Sequence, residues 1–142
     1  MIDIRKLAAL VAFPLAGLVT PAEGADPMRI RLTIDGKSIT ATLNDNATAK
    51  DFVSLLPLTL ALEDHAATEK IARPPRKLST AGAPAGADPS VGDIAYYAPW
   101  GNLAMYYKDF EYSPGLVLLG RIDSRVEVLR GGARSITIER VK

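Results

Sequence analysis

A mainly antiparallel β-sheet closed on itself into a small barrel, with one or two helices against it, is the fold this sequence predicts. Three observations lead there. Short segments of alternating apolar and polar residues recur along the chain, separated by Gly, Pro, Asn and Asp. Only one segment carries clear helix start and stop signals, and strands do not alternate with helices in the rhythm that builds a parallel sheet. A chain of 142 residues, 48% of them hydrophobic, holds a single core, so an open sheet this small would leave exposed edges that closure removes.

The first 24 residues read as an address. Arg5 and Lys6 precede an apolar run from Leu7 to Val19, and Thr20-Pro21-Ala22-Glu23-Gly24 follows with small residues. That is the three-part pattern of a secretory signal peptide, with cleavage expected between Gly24 and Ala25. The run is too short to span a membrane, which takes about 20 apolar residues, so no membrane association is expected after its removal. Export combined with the absence of cysteine fits a periplasmic or secreted protein, the bacterial periplasm best.

From residue 25 onward the elements can be justified in turn. Ile30, Leu32 and Ile34 alternate with Arg29, Arg31 and Thr33, and after Asp35-Gly36 the alternation resumes with Ile39, Ala41 and Leu43. The pair reads as a hairpin closed by a two-residue turn. Thr48 and Asp51 form a capping-box spacing for a helix through Phe52, Leu55 and Leu56, which Pro57 ends. Leu58, Leu60 and Leu62 alternate with Thr59, Ala61 and Glu63 as a third strand. Residues 64–90 are rich in Pro, Ala and Gly and show no period, so a long loop is expected there, with any short strands inside it unreadable. Asp93 to Ala98, Asn102 to Lys108 and Leu116 to Ile122 are three further strands. Ser124 to Leu129 suits one helical turn, and Ser135 to Glu139 alternates as the last strand.

Composition removes several functions. With 17 basic and 16 acidic side chains, a formal net charge of +1, no broad positive field exists to hold a nucleic-acid backbone. Without cysteine there is no disulfide framework, thiolate metal site or cysteine nucleophile. His65 is the one histidine, and a single imidazole without convergent carboxylates is not a metal constellation; no metal or other cofactor is expected. Phosphate-cradling loops, dinucleotide fingerprints and the Gly-x-Ser-x-Gly elbow are missing.

Taken in order, Arg29 to Ile34 with its Asp-Gly hairpin, the Ala49 to Pro57 helix, Val91-Gly92-Asp93-Ile94-Ala95-Tyr96-Tyr97, Leu103 to Tyr107 and Leu118 to Ile122 resemble small bacterial cyclophilin-like proteins. The resemblance spans Met28 to Lys142. It implies an eight-stranded closed barrel with helices over its openings, here as one domain over 25–142. True cyclophilins are prolyl isomerases, and their catalytic arginine lies in a Phe-His-Arg type segment that this chain lacks; Arg73 and Arg76, flanking Pro74-Pro75, are its nearest arginines. Where cyclophilins have a Gln-Phe-Phe type strand, this chain similarly offers Met105-Tyr106-Tyr107, and the pocket's Trp and His have no counterparts near Tyr112 to Leu116. The reaction needs a cation against the prolyl nitrogen to weaken amide resonance.

Seven of the nine aromatic residues fall between Tyr96 and Tyr112: Tyr96, Tyr97, Trp100, Tyr106, Tyr107, Phe110 and Tyr112. Adjacent strand residues face opposite ways, so one tyrosine of each pair points into the barrel and the other out. The outward members either form a groove with Trp100 and Phe110 or pack the wall with their hydroxyls satisfied by backbone. Asn102 is read as a turn residue or a ligand contact. Arg121, with Asp123, is read as part of a buried ion pair or a ligand contact, and Lys70, Arg73, Arg76 and Lys77 as an extended, solvated basic run. The expected function is a non-catalytic binding module for a small molecule or extended peptide. A divergent prolyl isomerase and a structural or assembly protein are the alternatives. The sequence leaves the oligomeric state open.

Overall fold

The computed structural model describes residues 27–142; the expected signal peptide lies outside the described residues. Eleven strands form: β1 Arg29–Ile34, β2 Lys37–Leu43, β3 Leu58–Ala61, β4 Glu63–His65, β5 Glu69–Ala72, β6 Gly86–Ala87, β7 Asp93–Tyr97, β8 Asn102–Tyr106, β9 Ser113–Pro114, β10 Leu116–Ile122 and β11 Ser135–Val141. One helix, α1 Ala47–Val53, and a single 3₁₀ turn at Val126–Leu129 complete the fold. Nine strands make one sheet in the order β3-β11-β1-β2-β10-β7-β8-β5-β4, with every neighbouring pair antiparallel.

The two edge strands, β3 and β4, are consecutive in the chain and separated only by Leu62. Leu62 is buried in the core, and its N–H donates to the Arg134 carbonyl at 2.9 Å. Residues 58–65 therefore act as one bent strand that pairs first with β11 and then with β5, and nine strands become eight around a closed barrel. The sequence suggests a single straight strand to Glu63; the break at Leu62 is where the ladder changes partner.

Inward-facing residues fill the barrel. Ile30, Leu32 and Ile34 of β1 meet Ile39, Ala41 and Leu43 of β2 and Ile136 and Ile138 of β11, all nearly inaccessible. The α1 helix adds Ala49, Phe52 and Val53 to this core. Its N-cap is Asn46, not Thr48. The Asn46 side chain accepts from the Ala49 N–H at 2.8 Å, whereas Thr48 is buried. Asp51, the other half of the expected capping box, instead accepts two bonds from Arg76, at 2.8 and 2.9 Å, and one from the Ser79 N–H at 2.7 Å. This clamp fastens the segment after β5 to the helix, and Leu78 from that segment enters the core with its N–H on the Tyr96 hydroxyl.

The expected long loop hides two barrel strands. The second half of the bent strand runs into it at His65, and β5 crosses it from Glu69 to Ala72, every residue buried. Between them Ala66 and Ala67 take φ values of 54° and 52°, left-handed conformations that Gly or Asn usually supply. The Thr68 N–H closes the turn on the His65 carbonyl at 3.0 Å, and Asp64 accepts from the Ala67 N–H at 3.1 Å. A close approach also fixes the barrel at Gly120, where a Cβ would lie 2.2 Å from the Thr42 carbonyl oxygen.

Two measurements check these constraints. Ala67→Gly relieves a left-handed alanine and should raise the unfolding free energy by about 1 kcal/mol in a denaturant titration; an unchanged or lower value would show that the turn carries no strain. The Asp51 carboxyl is drawn from its ordinary 3.8 to about 2, first by Arg76 and then by the Ser79 N–H. A depressed carboxylate stabilises the fold fully above its unfolded value, and that contribution disappears as pH falls through the folded one. Asp51→Asn should therefore be less stable than the parent at neutral pH, with the two stability curves converging as pH drops toward about 2. A constant gap across that range would refute the clamp.

Candidate functional site

Strand alternation sets the site. On β7, Ile94 and Tyr96 join the barrel core while Ala95 and Tyr97 face out. On β8, Leu103 and Met105 face in while Ala104 and Tyr106 face out. The registers place Tyr97 opposite Asn102, and Glu69 of β5 opposite Tyr106. Glu69, Tyr106, Asn102 and Tyr97 thus lie close together on the sheet's outer face. The short β6–β9 pair forms a second layer over part of this face. Gly86 permits the fit: a Cβ there would sit 2.5 Å from the Ser113 carbonyl oxygen and 2.7 Å from the Tyr112 hydroxyl.

Between sheet and second layer lies a cleft of about 260 Å³, with Trp100 and His65 at its rim and the stretch Phe110 to Pro114 along its side. The volume is near the lower end for small-ligand sites, about 300 Å³. The Trp100 ring stands perpendicular to both Tyr97 and His65, each at a centroid distance of 5.4 Å. Trp100, Phe110 and Tyr112 are about half exposed, unusual for side chains of this size.

The floor is polar. Asn102 is 1% exposed; its Nδ2 donates to the Leu103 carbonyl at 3.0 Å, and its Oδ1 has no hydrogen-bond partner. Leaving such an acceptor unpaired costs about 1–3 kcal/mol. Burial pushes the Glu69 carboxyl above its ordinary value, opposed by the charge of His65 and a hydrogen bond with Tyr106. The Tyr106 hydroxyl is pushed up in turn, mainly by burial and then by the Glu69 charge.

Of the residues singled out from sequence, Tyr97, Trp100, Asn102, Tyr106, Phe110 and Tyr112 line this cleft. The other three lie elsewhere. Tyr96 is a core residue whose hydroxyl accepts from Leu78. Tyr107 also faces inward and donates to Asp64; burial, followed by that bond, pushes its pKa up to about 12, while the same bond is the chief cause holding Asp64 low. Arg121 reaches across to Asp93 at 2.5 Å and to the Val91 carbonyl at 2.9 Å. Its expected neighbour Asp123 is held by Thr40, Thr42 and Arg29 instead. Arg121 is largely exposed and Asp93 is buried, so the pair is half-buried and its carboxylate is not the expected Asp123.

Of the basic run, Arg73, Arg76 and Lys77 are exposed as expected, and Lys70 departs from it. Lys70 is 4% exposed inside the barrel, on the Gly131 carbonyl and Asp64; Arg73 bonds the Trp100 carbonyl, and Arg76 is the clamp on Asp51. Glu69, Glu111 and His65 are cleft residues that sequence reading did not assign. For Glu69 the signal was hidden with its strand, in a segment without readable period. Among the described residues, no cluster of three or more His, Asp or Glu side chains could hold a metal, and no arginine or lysine lines the cleft.

The architecture defines a closed antiparallel barrel with an aromatic cleft on its outer wall. The model of the Cyclophilin-like family matches residues 32–139, and the chain belongs to that family. Its fold is similar to the solution structure of the hypothetical protein AF2241 from Archaeoglobus fulgidus, with a TM-score of 0.64 at 17% identity, covering 84% of this chain and 99% of that one. None of the curated proteins matches the chain in sequence.

Asn102→Leu keeps the side chain's volume and removes the unpaired acceptor. Its unfolding free energy should stay within about 1 kcal/mol of the parent or exceed it. A loss of about 3 kcal/mol or more would mean that the amide oxygen is engaged and that Asn102 is a structural residue.

Proposed function

We propose that this protein is an exported, non-catalytic binding module that takes a small molecule, or the side chain of an extended peptide, in the cleft between the β5-β8-β7 wall and the β6–β9 layer. The observation that carries this reading is the buried, unpaired Asn102 oxygen at the floor of an aromatic cleft. Folded proteins rarely leave such groups unsatisfied, and a ligand site is one place where the cost is tolerated. Half-exposed Trp100, Phe110 and Tyr112 supply apolar area for a guest.

Prolyl isomerisation is less well supported. Arg73, Arg76 and Arg121 are each engaged outside the cleft, so the group that would weaken amide resonance is missing from it. A structural role is disfavoured because Trp100, Phe110 and Tyr112 are left about half exposed.

The test pairs a prolyl-isomerase assay with emission from Trp100, the one tryptophan of the chain. No acceleration over background is expected, with saturable emission changes for ligands that enter the cleft. Turnover abolished by Arg73→Ala, Arg76→Ala or Arg121→Ala would make the protein an enzyme. Silence of Trp100 toward a broad panel of peptides, amines and neutral small molecules would move the weight to a structural role.

A further inference from the structure

The groups that line the cleft share a sign. Its two carboxylates are Glu69 at the wall and Glu111 at the side, and neither lysine nor arginine is among its lining residues. The Asn102 amide turns its donor to the Leu103 carbonyl and leaves the oxygen, the negative end of its dipole, uncompensated. Aromatic rings present a negative face and a positive edge. Trp100 meets Tyr97 at 79° and His65 at 87°, so these rings form corners instead of a stack, and a corner leaves ring faces free for a guest. His65 is the one lining side chain that can carry positive charge.

An anion entering this space would meet two carboxylates. A neutral apolar guest would strip water from Glu111 and from the accessible edge of Glu69 and return nothing to either. A compact organic cation meets the ring faces and the carboxylates together, with the uncompensated negative end of the buried Asn102 amide behind them adding to the same field. The cavity, about 260 Å³, suits a head group better than a large ligand.

We infer that the cleft recognises an alkylated ammonium group, held by the rings of Tyr97 and Trp100 and by the carboxylates of Glu69 and Glu111. This rests on the cleft being a ligand site. The same chemistry is carried by a free quaternary amine and by a methylated lysine side chain in a peptide.

The experiment titrates the full protein with choline and with its neutral isostere, in which a tert-butyl group replaces trimethylammonium, reading Trp100 emission and the thermal unfolding midpoint. Choline should bind about tenfold more tightly than the isostere. Glu111→Gln, at an exposed position, and Glu69→Gln should each weaken choline and leave the isostere unchanged. A trimethyllysine tripeptide distinguishes the sources: tighter binding than choline assigns a peptide side chain, equal or weaker binding a free amine. Equal binding of choline and isostere, or binding of neutral ligands alone, overturns the cation assignment and leaves the cleft a ligand site. No response to any of these compounds, nor to the wider panel, overturns both.

Discussion

Residues 58–65 belong to two neighbours at once, and the barrel exists because they do. Their first half completes the ladder on β11 and their second half the ladder on β5, with the change of partner at Leu62. A straight strand there would satisfy one edge and leave a row of N–H and C=O groups open on the other. The bend costs one ladder position, and the Leu62 N–H recovers its bond on Arg134 while the side chain enters the core. Once the sheet is closed, an in-or-out assignment at one residue of β7 or β8 fixes the assignment along that strand and its regularly paired neighbour. On β10 an irregularity between Leu118 and Gly120 shifts the alternation.

That constraint separates the adjacent tyrosines. Tyr96 and Tyr107 are committed to the interior, where their hydroxyls meet Leu78 and Asp64, and Tyr97 and Tyr106 are committed to the outer wall. These two are rigid parts of a ladder, so the cleft inherits its geometry from the barrel and not from mobile loops. The second layer then decides its depth. Glycine at position 86 brings the backbone against Ser113 and Tyr112, which holds the Phe110 to Pro114 stretch over the sheet.

The hairpin of β1 and β2, the strand at Leu116–Ile122 and the aromatic concentration were legible because each shows its period or its turn residue openly. Closure was legible only as a consequence of small size. The β4–β5 hairpin was not, because two alanines occupy the left-handed turn where glycine or asparagine would have announced it. The wrong N-cap has a similar cause: Thr48 fits the capping-box spacing, but Asn46, two residues earlier, reaches the free N–H groups while also donating to the Leu118 carbonyl. Glu69 went unseen with its strand. The arginine contacts were invisible for a different reason, since Arg121 and Asp93 are brought together by neighbouring strands and not by spacing in sequence.

The charge of the cleft is itself a product of register. Glu69 and Lys70 are adjacent on β5, so alternation sends the carboxylate to the outer wall and the ammonium into the barrel. Lys70 is tolerated inside because the Gly131 carbonyl and Asp64 receive it, and Asp64 is shared with Tyr107. A slip of one residue would bury Glu69 beside these acceptors and put a lysine among the aromatic rings, reversing the sign of the site and leaving both charges without partners. The turn at Ala66 and Ala67 stands between the two pairings that forbid the slip, His65 with Glu69 on one strand pair and Glu69 with Tyr106 on the next. Its left-handed backbone is therefore more than a local oddity. It sets the register of β5 against β4, and through that register it decides which charge the cleft presents to a guest.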